Sequence, residues 1–512
     1  MTGSRPTFAD IWRLAAPYFR SEDRWAGRGL LIAVILIELA VVGLTVLVNQ
    51  WNNTFYNALQ DRNWDIFVDQ LLYFCGLASG YIVLRVYQLY LNQWLQIRWR
   101  RWMTEAYVGH WLQGSRHYRM QLQGDAADNP DQRIAEDIQL FIARALRIGL
   151  GLLNAIVTLF SFVIILWGLS NAAPLQLFGV TWGIPGYLVW AALIYSVFGT
   201  LVTHLIGRPL IRLLFEQQRY EADFRFNLVR VRENSEQIAL LGGEAAEAER
   251  LSGRFGHVVK NWLGIMSRQK KLTFFTAGYD QASVVFPYIM VAPAYFAGQV
   301  QLGALMQTAS AFGSVQGAMS FFVTAYSELA EFGAVIRRLA GFDAAIAHAT
   351  TAEGPTVEVK REAKRSRIDL QDLALRLPDG SPLLSRIQSS LKSGEHVLLT
   401  GPSGSGKSTL FRALAGVWPF GSGTVALPDK ASLMILPQRP YFPVATLAAA
   451  IAYPGLSGSF SREQLAGALT AVGLPTLIDR LYEENHWNRI LSPGEQQRLA
   501  IARPLLQAPD FL

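Results

Sequence analysis

Gly401-Pro402-Ser403-Gly404-Ser405-Gly406-Lys407-Ser408-Thr409 decides the reading of this chain. The stretch fits the phosphate-cradling pattern G-x-x-x-x-G-K-[ST] at every fixed position. Before it, His396-Val397-Leu398-Leu399-Thr400 reads as a buried strand. After it, Leu410, Phe411 and Leu414 share one face of a helix that Gly416 and Pro419 stop. Gly401, Gly404 and Gly406 free backbone N–H groups to wrap a phosphate at a helix N-terminus. Lys407 is expected to neutralise the β/γ-phosphates, and the hydroxyl of Ser408 to ligate Mg²⁺.

Composition limits what such a site is attached to. The chain has 512 residues, 51% hydrophobic and only 17% charged, with a mean hydropathy of +0.21. An ordinary soluble protein carries about a quarter charged residues. A net charge of +7 raises the question of a nucleic-acid partner, but the positions of the charges argue for membrane orientation instead. The lone cysteine, Cys75, excludes an intrachain disulfide and sits in an apolar run, so it reads as a small buried residue. Charged residues from Arg5 to Arg24 precede any long apolar run, which argues against a cleaved signal peptide.

In chain order, residues 8–26 interleave apolar and charged positions and suit an amphipathic helix on the membrane surface. Leu30–Val48 then supplies 19 residues with one charge, Glu38, enough to span a bilayer. A second span lies within Phe67–Tyr90. The run from Ile148 to Gly207 contains no Asp, Glu, Lys or Arg and is divided into two spans at Asn171–Pro174 and Gly183–Gly186. Leu272–Phe296 and Leu302–Tyr326 make spans five and six. Arginines crowd the long connections after spans two and four, including Arg98, Arg100, Arg101, Arg208, Arg212 and Arg219. By the positive-inside rule those connections and both termini are cytoplasmic.

Six spans with extended helical connections, followed by a nucleotide-binding domain, resemble the exporter-type fold of ATP-binding cassette (ABC) half-transporters. Trp51–Gln60 (WNNTFYNALQ), Asp128–Ile134 (DNPDQRI) and Glu221–Phe226 (EADFRF) are similar to one branch of that superfamily. The branch holds the SbmA/BacA-like bacterial transporters and the peroxisomal subfamily-D fatty-acyl transporters. The resemblance covers essentially the whole chain and lies nearer the bacterial members. It implies an all-α membrane domain followed by an α/β P-loop nucleotide-binding domain. The expected division is an amphipathic segment 1–26, a membrane domain 27–344, a linker 345–367 and a nucleotide-binding domain 368–512.

The resemblance also assigns roles. Gln438, in Pro437-Gln438-Arg439-Pro440 after the apolar run Leu433–Leu436, matches the glutamine that contacts Mg²⁺ and senses the γ-phosphate. Leu491–Arg498 (LSPGEQQR) corresponds to the ABC signature, placing Ser492, Gly494 and Glu495 against nucleotide held by a second copy. Physically it is a helix start with Ser492 as N-cap, Pro493 at the first position and Glu495 completing a capping box. With Pro402, Ser403, Ser405 and Thr409 these residues make the expected ATP–Mg²⁺ site. The aromatic residue that stacks on adenine in many ABC proteins is missing from Leu375-Arg376-Leu377-Pro378.

Asp128-Asn129-Pro130-Asp131 reads as turn-and-cap chemistry, with Asp131 free to cap the next helix. In the family such intracellular segments couple the ATPase to the membrane domain, and the same is expected of Glu221–Glu233. Glu38, mid-span, reads either as a cavity-lining group for a cationic substrate or a proton, or as a structural partner of Arg85. Asp280 poses the same question in span five.

The expected protein is a homodimer in the bacterial inner membrane, in contact with lipid, driven by ATP and importing bulky solutes such as peptide or cobalamin-like molecules. Two alternatives stay open: a proton-coupled secondary importer with a regulatory nucleotide domain, and an acyl-chain or acyl-CoA transporter. The run Pro509–Leu512 corresponds to the start of the family's buried strand, which ends in an Mg²⁺-holding Asp and a water-activating Glu. The expectation is therefore a fragment of a longer protein, binding nucleotide through Lys407 and Ser408 without hydrolysing it.

Overall fold

The computed structural model describes residues 7–122, 129–177, 180–349, 356–363, 366–456 and 458–512. It divides into two compact units, Met1–Tyr107 with Pro130–Gly341, and Val108–Asn129 with Phe342–Leu512.

The chain starts with α1 (Phe8–Ala15), a tight 3₁₀ turn Tyr18–Arg20 and α2 (Arg24–Gln60). The single amphipathic helix expected over 8–26 is therefore two pieces. Pro17 sits at the break and Ser21 is extended, so the chain turns there and Trp25 already belongs to α2. The turn is fastened by Tyr18, which is fully buried, stacks on Trp99 at 5.6 Å and donates its hydroxyl to Asp23 at 3.1 Å. Arg98 Nε donates to the same carboxylate at 3.0 Å.

Next come α3 (Trp64–Leu112), α4 (Arg116–Leu122), α5 (Pro130–Gln132), a π-helical turn Arg133–Asp137 and α6 (Ile138–Ala172). Of the expected turn at Asp128–Asp131, Asp128 lies outside the described residues. Helix α5 begins at Pro130, so Asp131 is inside its first turn rather than capping it; proline's fixed φ suits the first helical position. The predicted division of the apolar run holds. Helix α6 stops at Ala172, a small antiparallel hairpin of β1 (Leu175–Leu177) and β2 (Val180–Trp182) intervenes, and α7 (Tyr187–Glu233) starts after Gly186.

Helices α8 (Ser235–Leu241), α9 (Glu244–Phe296), α10 (Leu302–Thr324) and α11 (Tyr326–His348) follow. At 47 and 53 residues, α7 and α9 are about 70 and 80 Å long, far more than the roughly 30 Å of bilayer hydrocarbon. They pack along one another and are pinned by Tyr195 and Tyr279. Those rings stack at 4.4 Å, and each hydroxyl donates to the other residue's backbone carbonyl.

Among the described residues, Arg24–Gln60, Trp64–Leu122, Pro130–Ala172 and Tyr187–Glu233 are long and apolar enough to cross a membrane. The other two expected spans fall on α9 and α10, which are continuous helices richer in Gly, Ser, Thr and Gln. Cys75, expected buried, is exposed, because the apolar outer face of α3 lies uncovered.

The second unit holds a sheet of β3 (Glu358–Glu362), β4 (Arg367–Arg376), β5 (Pro382–Lys392) and β6 (Gly421–Pro428), in the order β3-β6-β4-β5. Strand β3 runs parallel to β6, while β4 is antiparallel to both β5 and β6. The charge-rich end of the expected linker 345–367 is thus a sheet edge, its exposed charges suiting a strand with one free side. Helix α12 (Lys407–Leu414) lays Leu410, Ala413 and Leu414 on Leu373 and Leu375 of the sheet. A second core gathers β7 (Ala445–Thr446), α13 (Leu447–Ala452), α14 (Arg462–Ala471), β8 (Glu484–Asn485), α15 (Trp487–Ile490) and α16 (Pro493–Gln507) around the fully buried Trp487. Its indole donates to the Ala445 carbonyl at 2.9 Å.

Candidate functional site

The phosphate-loop residues come together as the motif requires. Gly404 and Gly406 have φ of 83° and 88°, a left-handed conformation that side chains resist. At Gly406 a Cβ would also press on Leu383 at 3.0 Å, so glycine is needed there for space as well as for backbone freedom. These turns deliver the chain to α12 with Gly406 as N-cap and Lys407 at its first position. The N–H groups of that first turn have no acceptor within the helix. Lys407 Nζ arches over the loop and donates to the carbonyls of Gly401 and Pro402, both at 2.7 Å. A ring of backbone donors at a helix N-terminus, with an ammonium group held over it, fits a polyphosphate; the Ser408 hydroxyl beside it fits a divalent cation.

One expectation fails here. His396–Thr400 forms no strand and is exposed, Leu398 to 86%. A strand needs a laddered neighbour, and none of the described strands runs beside this segment. Its apolar residues therefore read as a strand without being paired as one. Leu433 fares better, bridging in parallel to Phe511, with Met434 N donating to Phe511 O at 2.9 Å. Asp510 caps this junction by accepting from Ser432 N and Oγ, and those hydrogen bonds hold its carboxyl below the usual aspartate range. Gln438 sits on an exposed bend just beyond.

The signature segment folds as its residues dictate. Ser492 caps α16, Pro493 is its first residue, and the reciprocal box is complete. Ser492 N donates to Glu495 Oε2 at 2.8 Å, and Glu495 N donates to Ser492 Oγ at 3.4 Å. The Ser492 hydroxyl and backbone N–H lower the pKa of the Glu495 carboxyl below its ordinary value. Gly494 follows in the first turn, which leaves the helix terminus unobstructed by a side chain. Among the described residues no hydrogen bond or ion pair joins Ser492, Gly494 or Glu495 to residues 401–409. Within one copy, the phosphate loop and the start of α16 make no such contact with one another.

Two sequence comparisons identify the family. The model of the ABC transporter transmembrane region 2 matches residues 14–296, and the ABC transporter model matches residues 384–512. The chain belongs to the ABC transporters. It is a half-transporter, with one membrane domain fused to one nucleotide-binding domain, and the family couples ATP to membrane transport. It is 34% identical to the inner membrane ABC transporter ATP-binding protein YddA of Escherichia coli, over 98% of this chain and 88% of that one. It is 32% identical to ABC transporter D family member 2, chloroplastic, of Arabidopsis thaliana, over 98% and 79% respectively. A solved structure of a bacterial Atm1-family ABC exporter with ATP bound superposes with a TM-score of 0.71 at 16% identity, covering 94% of this chain and 84% of that one. The exporter-type fold follows from that match.

In the membrane domain of this transporter, Glu38 both faces a cavity and neighbours Arg85. It is 5% exposed, lines a cavity and lies 3.8 Å from Arg85. Gln88 and Asn154 hold its two oxygens. Asp280 lies on an exposed face of α9. Sequence reading missed Gln88 and Asn154, although polar residues in an apolar span were the available signal. It also missed the buried Asp137, which accepts from Arg133 at 2.7 Å and from Arg338 Nε at 2.8 Å. It gave Leu122 no role, yet that residue at the end of α4 packs against the core formed by β4, β6 and α12.

Proposed function

We propose that the protein this chain belongs to is a homodimeric, six-span importer of the bacterial inner membrane, with both termini cytoplasmic, that moves bulky polar solutes at the expense of ATP. The observation that carries the reading is the separation of two prepared half-sites in one copy. Residues 401–409 form a phosphate cradle, and Ser492–Glu495 form a capped helix start whose box leaves the Gly494 N–H for a ligand. A second copy is what completes each site. In the completed site Lys407 holds the β/γ-phosphates, and Ser408 and Gln438 supply oxygens to Mg²⁺. Ser492 and Gly494 of the other copy present the dipole of α16, while Glu495 fixes that terminus by its box. Bound ATP–Mg²⁺ supplies the phosphoryl-transfer free energy. The chain's own residues orient it and close around it.

Two tips of the long helices support coupling. Leu122 ends the α3–α4 connection seated in the nucleotide domain's core. At the α7–α9 tip, Leu240 and Leu241 of α8 are 80% and 85% exposed, an apolar pair suited to seating on another subunit. Earlier in that connection, the Glu221 carboxylate accepts from Gln217 on the same helix at 3.1 Å, which supports α8 rather than 221–226 as the docking tip.

The test is ATP-dependent solute uptake in inverted and right-side-out vesicles. Lys407→Ala is expected to abolish it while leaving membrane insertion intact. Unchanged uptake in the variant, collapsing with an uncoupler, would establish proton-coupled secondary transport instead.

A further inference from the structure

In the unit that holds the phosphate loop, Arg503 is a buried charge without a counter-ion. It lies on α16, is 6% exposed, and takes part in no ion pair among the described residues. Its guanidinium is met instead by dipoles and ring faces. Nη2 donates to the Tyr441 carbonyl at 2.6 Å and to the Ala450 carbonyl at 2.9 Å, and Nε donates to Ala450 at 3.3 Å. The rings of Phe442 and Tyr453 lie 4.7 and 5.4 Å from it. Burial pushes the Arg503 pKa down, the direction expected when a cation leaves water with no anion to answer it.

Part of this arrangement is capping. Ala450 and Ala452 lie in the last turn of α13, where backbone carbonyls have no donor within the helix. Arg503 serves the first and Gln507 Nε2 the second, at 2.8 Å, and a cation suits a helix C-terminus. Capping does not call for Tyr441. That residue lies outside any helix, just after Gln438, so its carbonyl ties α16 to the exit of the Gln438 bend. The entry is tied as well, by Met434 N donating at 2.9 Å to the carbonyl of Phe511, shortly beyond α16. Between those ties, Gln438 and its neighbours Pro437 and Arg439 are exposed and make no hydrogen bond with a described residue.

Helix α16 is therefore engaged at both ends. Its first turn carries the Ser492–Glu495 box, and about 16 Å along its axis Arg503 grips the segment that leads away from Gln438. A rigid, planar fork of N–H groups can hold the Tyr441 and Ala450 carbonyls together, which an ammonium group on a flexible stem cannot do with the same definition. We propose that Arg503 is a positioning residue for nucleotide binding: it fastens the exit of the Gln438 bend to α16, which holds the Gln438 amide where it distinguishes a triphosphate from a diphosphate. The proposal rests on the reading of residues 401–409 and Gln438 as one nucleotide site, and the experiment separates its failure from that of the reading.

The experiment is competition of MgATP and MgADP against a fluorescent ATP analogue, with the full chain in lipid nanodiscs. Wild type is expected to favour MgATP by about fivefold or more, since contacts to the additional phosphate are charge-assisted. Arg503→Met keeps the bulk and removes the donors. It should cut that preference to within about twofold of the value in Gln438→Ala, with MgADP affinity within about twofold of wild type. The double variant should be no worse than Gln438→Ala, because one residue acts through the other. Arg503→Lys should fall between wild type and Arg503→Met, and carries the comparison where Arg503→Met does not fold. Gln507→Leu removes the Ala452 cap alone; it should lower Tm and leave the preference intact. A merely structural Arg503 would weaken both nucleotides together at an unchanged ratio, and that result overturns the proposal. So does full additivity of Arg503→Met and Gln438→Ala, or a Gln507→Leu variant that loses the preference as Arg503→Lys does. If Gln438→Ala leaves the ratio unchanged, or Lys407→Ala binds MgATP as wild type does, the nucleotide-site reading itself fails and the proposal with it.

Discussion

Asp137 offers the sharpest test of how the ends of the membrane helices are held together. Its carboxylate is 1% exposed and takes N–H donors from Arg133 on its own helix and, in a two-pronged grip, from Arg338 on α11. Removing one member of a buried ion pair costs about 3–5 kcal/mol, because the survivor is left desolvated. The two partners are not equivalent. The Arg133 side chain is 7% exposed and that of Arg338 is 37% exposed, so once Asp137 is gone water reaches the Arg338 guanidinium far more readily than that of Arg133. Asp137→Ala should therefore fall in the upper range, about 4 kcal/mol. Arg338→Ala leaves Asp137 paired with Arg133 and should cost only about 1–2 kcal/mol, the loss of charge-assisted hydrogen bonds discounted for partial exposure. The double variant should be less destabilised than the sum by at least about 1 kcal/mol. The assay is thermal denaturation of detergent-purified protein for the wild type, both single variants and the double variant. If Arg338→Ala lowers Tm as much as Asp137→Ala, or if the two add without interaction, the carboxylate is not the hub of this contact.

Gly303→Ala is expected to loosen the start of α10, because a Cβ there would collide with the Asn53 carbonyl and the Asn57 side chain. The cost should be about 1–3 kcal/mol, read as a lower Tm and less membrane-inserted protein; an unchanged Tm would show that the helices separate freely. The capping box of α16 should respond to acid. The pKa of Glu495 is lowered in the fold from its ordinary 4.5, so its contribution is complete above that value and lost as pH falls below it. Protection of the first turn of α16 from hydrogen exchange, relative to the intrinsic rate at each pH, should be lower well below pH 4.5 than at neutral pH, and Ser492→Ala should remove that pH dependence. Equal protection at both pH values would refute the box's role. Lys407→Ala should also weaken binding of a fluorescent ATP analogue by roughly tenfold or more, since a charge-assisted contact is lost.

Much of the fold was legible because its signals are local. The phosphate loop declares itself through glycine positions that only left-handed backbone satisfies, and Ser492-Pro493-Gly494-Glu495 carries its cap within four residues. Span boundaries at Asn171–Pro174 and Gly183–Gly186 were readable because Gly and Pro end helices by their own stereochemistry. What the sequence could not settle depends on neighbours distant in the chain. His396–Thr400 has the composition of a strand, but strand formation is decided by a ladder partner, and that segment lies unpaired and exposed. Cys75 looked buried because apolar neighbours usually mean core, while in a membrane helix the apolar face is the outer one.

Glu38 shows the division most clearly. A mid-span carboxylate announces from sequence alone that something must answer it, since an isolated charge at that depth is costly. Which groups answer was set by the packing of α2 against α3 and α6. Residues 50 and 116 positions away supply the amides. Sequence determined that a buried charge needed partners; only tertiary structure chose them, because hydrogen bonds are satisfied across space and not along the chain.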